Sequence, residues 1–194
     1  MESMRDIMQK YGCDKVEHLY YKEYEKSFES IRNSFINILE IGIWKGTSHS
    51  SWIDYFPNAQ VYGIDIFTRI NPEDVPILQH PRMHWLKGDS TDPSVQTNIQ
   101  NKWGDIKFDI IIDDGLHTPK ANRLTFENLK MFGTGGDTIY YVEDVWPLHK
   151  MNAKELNHSW VLKKPLEYNE NEWDKFWDAV TSNSFLVADI DLRK

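Results

Sequence analysis

Asp113-Asp114-Gly115-Leu116-His117 puts two carboxylates, a glycine and an imidazole side by side. They follow Phe108-Asp109-Ile110-Ile111-Ile112, an apolar run that reads as a buried strand. Farther along, Thr138-Ile139-Tyr140-Tyr141-Val142 runs into Glu143-Asp144, so a second strand ends in paired acids. Open α/β sheets bind ligands at the carboxyl ends of their strands. If the two strands are neighbours, Asp113 or Asp114 approaches Glu143 and Asp144. Carboxylates that close repel one another unless protons or a cation intervene. An all-oxygen set selects a hard ion, and Mg²⁺ keeps water positions that a substrate hydroxyl can take. His117, three residues past Asp114, is placed to take that hydroxyl's proton. Each residue also has a plainer reading: a helix-start contact for His117, capping acids in a loop for Glu143 and Asp144. Their convergence on one cleft favours chemistry.

A second group precedes these. A strand over 35–41 runs into Glu40-Ile41-Gly42-Ile43-Trp44-Lys45-Gly46, and the next strand, 60–65, ends in Asp65. Gly42 and Gly46 allow a sharp turn and a close backbone approach to a ligand. Asp65, roughly twenty residues past the second glycine, suits the two hydroxyls of a ribose. The spacing is G-x-x-x-G, without the G-x-G-x-x-G trio that cradles a pyrophosphate. A cofactor with a ribose and no pyrophosphate fits better, and S-adenosylmethionine is the natural candidate. Gly88-Asp89 follows a short third strand, 83–87, where Asp89 is placed to accept from the adenine amine or to cap the next helix. Methyl transfer suits these parts, because the sulfonium already activates the methyl group and the protein must align donor and acceptor. Cys13 has no context as a nucleophile.

The elements that position these residues alternate. Strands at 35–41, 60–65, 83–87, 108–113, 137–142 and 185–190 are separated by helices at 47–56, from Asp92 or Ser94 to about Trp103, 119–132 and 171–182. Pro119 suits a first helical turn, and Gly133 a stop. This pattern predicts an α/β, Rossmann-like, doubly wound and mostly parallel sheet with helices on both faces. Before it, residues 1–32 form a short amphipathic helical segment, interrupted near Gly12, with Leu19, Tyr20, Tyr24 and Phe28 at helical spacing. The division expected is that segment, 1–32, and a catalytic domain, 33–194. A closing antiparallel strand, common in such sheets, would lie beyond Lys194, so the expectation is either a domain truncated before that strand or an edge covered otherwise.

Composition narrows the class. A chain of 194 residues is long enough for one domain with a full core. The net charge of −8 argues against a nucleic-acid partner. No apolar run approaches the roughly 18 residues of a membrane span, and the N-terminus lacks a signal-peptide core. The single cysteine cannot form an internal disulfide, which points to a reducing, cytoplasmic setting. The eight tryptophans, including Trp160, Trp173 and Trp177, read as packing residues. Trp146, His149 and the stretch through Trp160 are placed to line or cover an acceptor site, and a homo-oligomer stays open.

Leu39-Glu40-Ile41-Gly42-Ile43-Trp44-Lys45-Gly46, Tyr62-Gly63-Ile64-Asp65, Asp109 through His117 and Val142-Glu143-Asp144 together resemble the class I S-adenosylmethionine-dependent methyltransferases. Within these the chain is most similar to the metal-dependent macrolide-sugar O-methyltransferases of the mycinamicin and macrocin type. Their Asp-Asp-Gly-Ser-His carries Leu116 in place of serine here. Their Tyr-Gly-Thr-Asp-Lys is matched by Tyr11-Gly12-Cys13-Asp14-Lys15, with Cys13 in place of threonine. The resemblance spans roughly residues 10 to 146. It implies Mg²⁺ on Asp114, Glu143 and Asp144, and His117 as general base. It implies donor contacts from Glu40, Gly42, Asp65, Asp89 and the Asp113 region, with Gly46 completing the turn. Asp14 and Lys15 would close the N-terminal segment over the donor's methionine end. The expected activity is O-methyl transfer to a hydroxyl of a sugar or other small molecule in natural-product biosynthesis. The rivals are an inactive or accessory protein on the same fold and a metal-dependent hydrolase or hydroxylase. An NAD oxidoreductase is disfavoured by the missing glycine trio.

Overall fold

A computed structural model of the chain describes residues 2–135, 138–144 and, for the backbone, 186–190. The helix expected at 171–182, and Trp146, His149, Trp160, Trp173 and Trp177, lie outside the described residues.

The strands are β1 (Asn37–Ile41), β2 (Gln60–Asp65), β3 (Met83–Lys87), β4 (Ile110–Asp113), β5 (Ile139–Glu143) and β6 (Leu186–Ile190). They form one sheet in the order β3-β2-β1-β4-β5-β6, and every pairing is parallel. The chain winds outward from β1 to β3, then crosses back to lay β4 on the other side of β1. That reversal opens a crevice at the carboxyl ends of β1 and β4, where doubly wound sheets hold their ligands.

Side-chain alternation along the strands feeds two cores. Ile38, Ile110, Ile112 and Tyr141 pack on one face with Tyr24, Phe28, Trp52 and Phe56. Leu39, Ile111 and Tyr140 pack on the other with Val95, Ile99, Phe126 and Leu129. The first face is covered by α1 (Met4–Lys10), α2 (Tyr21–Phe28) and α3 (Thr47–Tyr55), the second by α4 (Ser94–Trp103) and α5 (Pro119–Leu129). None of the described helices is long and apolar enough to cross a membrane.

Local chemistry sets most boundaries. Ser3 caps α1 by accepting from the Asp6 amide, and Thr118 caps α5 by accepting from the Ala121 amide. Several boundaries differ from expectation. Phe35 is 88% exposed and stands outside β1, which starts at Asn37. Phe108 bonds Phe132 and Thr134 in the loop before β5, so β4 starts at Ile110. The helix from 119 ends at Leu129, and a 3₁₀ turn, Lys130–Phe132, completes it before Gly133.

The N-terminal segment breaks at Gly12, as its sequence suggests, and again before α2. There a 3₁₀ turn, Asp14–Val16, leads to Leu19 in the left-handed region at φ +61°. Leu19 is therefore half-exposed and leaves the apolar stripe, whereas Tyr20, Tyr24 and Phe28 are fully buried. These helices thus belong to the domain's own core.

Candidate functional site

The turn after β1 is pinned from both sides. The Gly42 amide donates to the Ile64 carbonyl of β2, while the Asp114 amide donates to the Ile41 carbonyl. Gly42 has φ +91°, and a Cβ there would lie 2.3 Å from the Asp114 carbonyl oxygen. Only glycine lets the β1 turn and the β4 acid loop touch. A Cβ on Gly46 would meet Ile77 at 2.4 Å. Asp65 organises the same turn: Oδ2 accepts from the Ile43 and Trp44 amides at 2.7 and 3.0 Å, and Oδ1 from the Phe67 amide at 2.6 Å. The expected ribose acceptor is thus also the clamp that holds the crevice wall. Asp89 is exposed, and its Oδ1 accepts from the Thr91 amide and hydroxyl, the local-turn role.

Glu40 lies one residue inside β1, fully buried. Its Oε2 accepts from Ser48 Oγ and Trp52 Nε1, both at 2.8 Å, with His49 Nδ1 at 3.3 Å. Burial pushes its carboxyl up, but Lys15, His49 and the two hydrogen bonds hold it below its ordinary value.

Asp113 and Asp114 point to opposite sides. Asp113 is buried; it accepts from Asn122 Nδ2 of α5 at 2.9 Å and from the Gly115 amide at 3.3 Å. Burial raises its carboxyl to about 6. Asp114 turns to the N-terminal segment and to β5. Its Oδ2 meets Lys15 Nζ at 2.7 Å, and its Oδ1 lies 3.6 Å from His117 Nε2. That imidazole nitrogen is also 3.9 Å from Asp144 Oδ2, and Asp144 Oδ1 accepts from the Tyr20 hydroxyl at 2.7 Å. His117 and Asp144 have φ +57° and +54°. Left-handed backbone at such residues costs about 1 kcal/mol or more and clusters at functional sites.

Glu143 completes the inner part. Its Oε2 lies 2.6 Å from Lys15 Nζ, and its Oε1 accepts from the Tyr24 hydroxyl. Burial, then repulsion by Asp114, holds the Glu143 carboxyl well above the usual range. Asp114 is raised by burial, against the pull of Lys15 and His117. Lys15 stays an ammonium: burial opposes its charge, and the surrounding acids more than offset that.

Lys15 was expected on the donor's methionine end, but the structure turns it inward among the acids. Asp14, expected beside it, is exposed at the start of its turn. Of the expected ligands Asp114, Glu143 and Asp144, the first two meet at Lys15 and the third joins through His117. Glu40, expected at the donor, completes a group with Asp114 and Glu143 whose carboxylate oxygens lie within 4.8 Å of one another. Three carboxyls surround one ammonium, and with Asp144 the donor set is all oxygen. That chemistry fits a hard divalent cation. Nothing in the local sequence marks Tyr20, Tyr24 or Asn122 as site residues. The two tyrosines signalled only a helical stripe, although a buried tyrosine needs a partner for its hydroxyl. Cys13 is buried, which pushes its thiol up to about 12 and keeps the thiolate out of play.

Comparison with known proteins bears on the fold and the family. No family model matches the chain. Over 136 residues, 66% of its length, the chain is 31% identical to mycinamicin VI 2''-O-methyltransferase of Micromonospora griseorubida and 32% identical to demethylmacrocin O-methyltransferase of Streptomyces fradiae. It spans 32% of each of those proteins. Among solved structures, the MycE methyltransferase of the mycinamycin pathway, in complex with Mg and SAH, aligns with a TM-score of 0.63 at 28% identity. That alignment covers 85% of this chain and 44% of MycE.

Proposed function

The chain is a relative, in sequence and fold, of the S-adenosylmethionine-dependent sugar O-methyltransferases of the mycinamicin and macrocin type, and from that kinship we propose that it methylates a sugar hydroxyl of a small natural product. The observation that carries this reading is the contact between Gly42 and the Asp114 carbonyl. It makes the donor turn and the acid cluster two walls of one crevice.

The Gly42–Gly46 turn and Asp65 would hold the donor's nucleoside, and Asp114, Glu143 and Asp144 a Mg²⁺ ion. When bound, the sulfonium supplies an activated methyl group and the metal supplies Lewis-acid stabilisation of an alkoxide. His117 Nε2, at the exposed edge between Asp114 and Asp144, takes the acceptor's proton. The two aspartates orient the ring and favour the imidazolium that forms. Asp113 stays on the far side of the loop and holds it through Asn122 and Gly115. Glu40 takes no proton in this scheme; its Oε2 is committed to Ser48 and Trp52, and its Oε1 faces the Lys15 ammonium. A buried thiol at Cys13 accords with a cytoplasmic setting.

Calorimetry with S-adenosylhomocysteine, beside methyl transfer to sugar-bearing macrolides, tests the reading. His117→Ala and Asp114→Ala should keep donor affinity within about threefold while transfer falls about 10²–10⁴-fold, the usual worth of a positioned acid or base. No donor heat in the unmodified protein, or equal loss of donor affinity in both variants, contradicts it.

A further inference from the structure

The acid cluster already contains a cation of its own. Lys15 is 1% exposed, and its ammonium lies 2.6 Å from Glu143 Oε2, 2.7 Å from Asp114 Oδ2 and 3.2 Å from Glu40 Oε1. Two of its N–H donors go to Glu143 and Asp114, and Glu40 Oε1 lies beside it as an ion-pair partner that accepts no hydrogen bond. The oxygens that enclose it belong to the same three acids whose geometry suits a metal. An ammonium and a divalent ion cannot share that space. The remaining acid chemistry lies farther out. Asp114, Asp144 and His117 side chains are 27, 25 and 23% exposed, against 0% for Glu40 and 3% for Glu143. The Asp114 carboxylate spans both zones, with Oδ2 on Lys15 and Oδ1 toward His117.

We propose that Lys15 is a positioning residue that permanently fills the inner cage of Glu40, Asp114 and Glu143, so that a divalent cation is confined to the outer edge beside Asp144 and His117. The outer half of this statement rests on the methyltransferase reading; the inner half rests on the cage alone. The ammonium neutralises acids that would otherwise repel in a buried space, and it fixes which Asp114 oxygen faces the crevice. It also ties the turn after Gly12 to the ends of β1, β4 and β5. That segment is thereby part of the site's frame, and the site cannot be complete without it. Tyr24 and Tyr20 act alongside it, one hydroxyl on Glu143 and the other on Asp144.

Mn²⁺ stoichiometry by calorimetry and electron paramagnetic resonance tests the proposal. The unmodified protein should bind about one Mn²⁺, Lys15→Met about two, and Lys15→Met with Glu40→Gln about one again, because metal affinity follows ligand charge and access. A lysine with a merely structural role would not raise the stoichiometry. Unchanged Mn²⁺ binding in a folded Lys15→Met variant overturns the proposal. If that variant does not fold, acetylation of the unmodified protein decides, with and without Mn²⁺. Lys15 should stay protected in both conditions while the exposed Lys26 is modified; Lys15 becoming reactive when metal is added means the metal displaces it, which overturns the proposal. If the unmodified protein binds no Mn²⁺, the metal half of the proposed function fails. A single Mn²⁺ gained by Lys15→Met and lost with Glu40→Gln still supports the cage.

Discussion

Asp113 shows how one loop separates two jobs at adjacent residues. Asp114 faces the cations, whereas Asp113 faces α5 and is buried against Asn122. Burial raises its carboxyl from 3.8 to about 6. The folded state therefore holds this proton more tightly than the unfolded chain does. Its stabilising contribution is complete below about pH 4 and is lost as pH rises through about 6. At about 1.36 kcal/mol per unit, the shift from 3.8 to about 6 corresponds to about 3 kcal/mol. Urea unfolding in chelator between pH 4 and 7 should show that decline in the unmodified protein. Asp113→Asn, which keeps an acceptor oxygen and loses the charge, should flatten it by about the same amount. Parallel profiles for the two proteins would mean that Asp113 does not carry the shift. The residues most visible in the sequence are those in tight local patterns, namely Asp113 to His117, Glu143 and Asp144. Lys15 was visible as part of a motif, but its place was not. Its partners Asp114 and Glu143 lie 99 and 128 residues away, and no local spacing encodes such contacts.

Strand and helix periods gave the order of elements and the parallel sheet, because buried strands such as Ile110–Asp113 carry continuous apolar runs. The boundaries at Phe35 and Phe108 depend on pairing with distant backbone, which the pattern does not contain. The glycines were legible as turn formers, but the reason for one was not. The sequence suggests Gly42 as room for a ligand; the structure shows it as room for the Asp114 carbonyl. Gly42→Ala should therefore act twice. Left-handed backbone costs an alanine about 1–3 kcal/mol, and the contact with β4 adds to that. Chemical denaturation should show at least this loss, and donor and Mn²⁺ affinities should fall together, since both walls of the crevice move. An alanine variant within about 0.5 kcal/mol of the parent, the range of ordinary surface changes, would mean that the turn relaxes freely.

At the scale of the molecule, the crevice is assembled from three parts of the chain. The turn after β1 and Asp65 form one wall, the ends of β4 and β5 another, and the N-terminal turn reaches in with Lys15, Tyr20 and Tyr24. Two cores, one on each face of the sheet, hold these parts in register. The chain spans about a third of the curated relatives it matches. Nucleoside and metal should occupy this one crevice together. A crystal grown with S-adenosylhomocysteine and Mn²⁺ tests it through the manganese anomalous signal. Nucleoside density is expected at the Gly42–Gly46 turn with its ribose at Asp65, and one manganese peak at Asp114 and Asp144 beside His117, with the Lys15 ammonium still among its acids. A crevice without nucleoside, or a manganese peak in the place of the Lys15 ammonium, would contradict it.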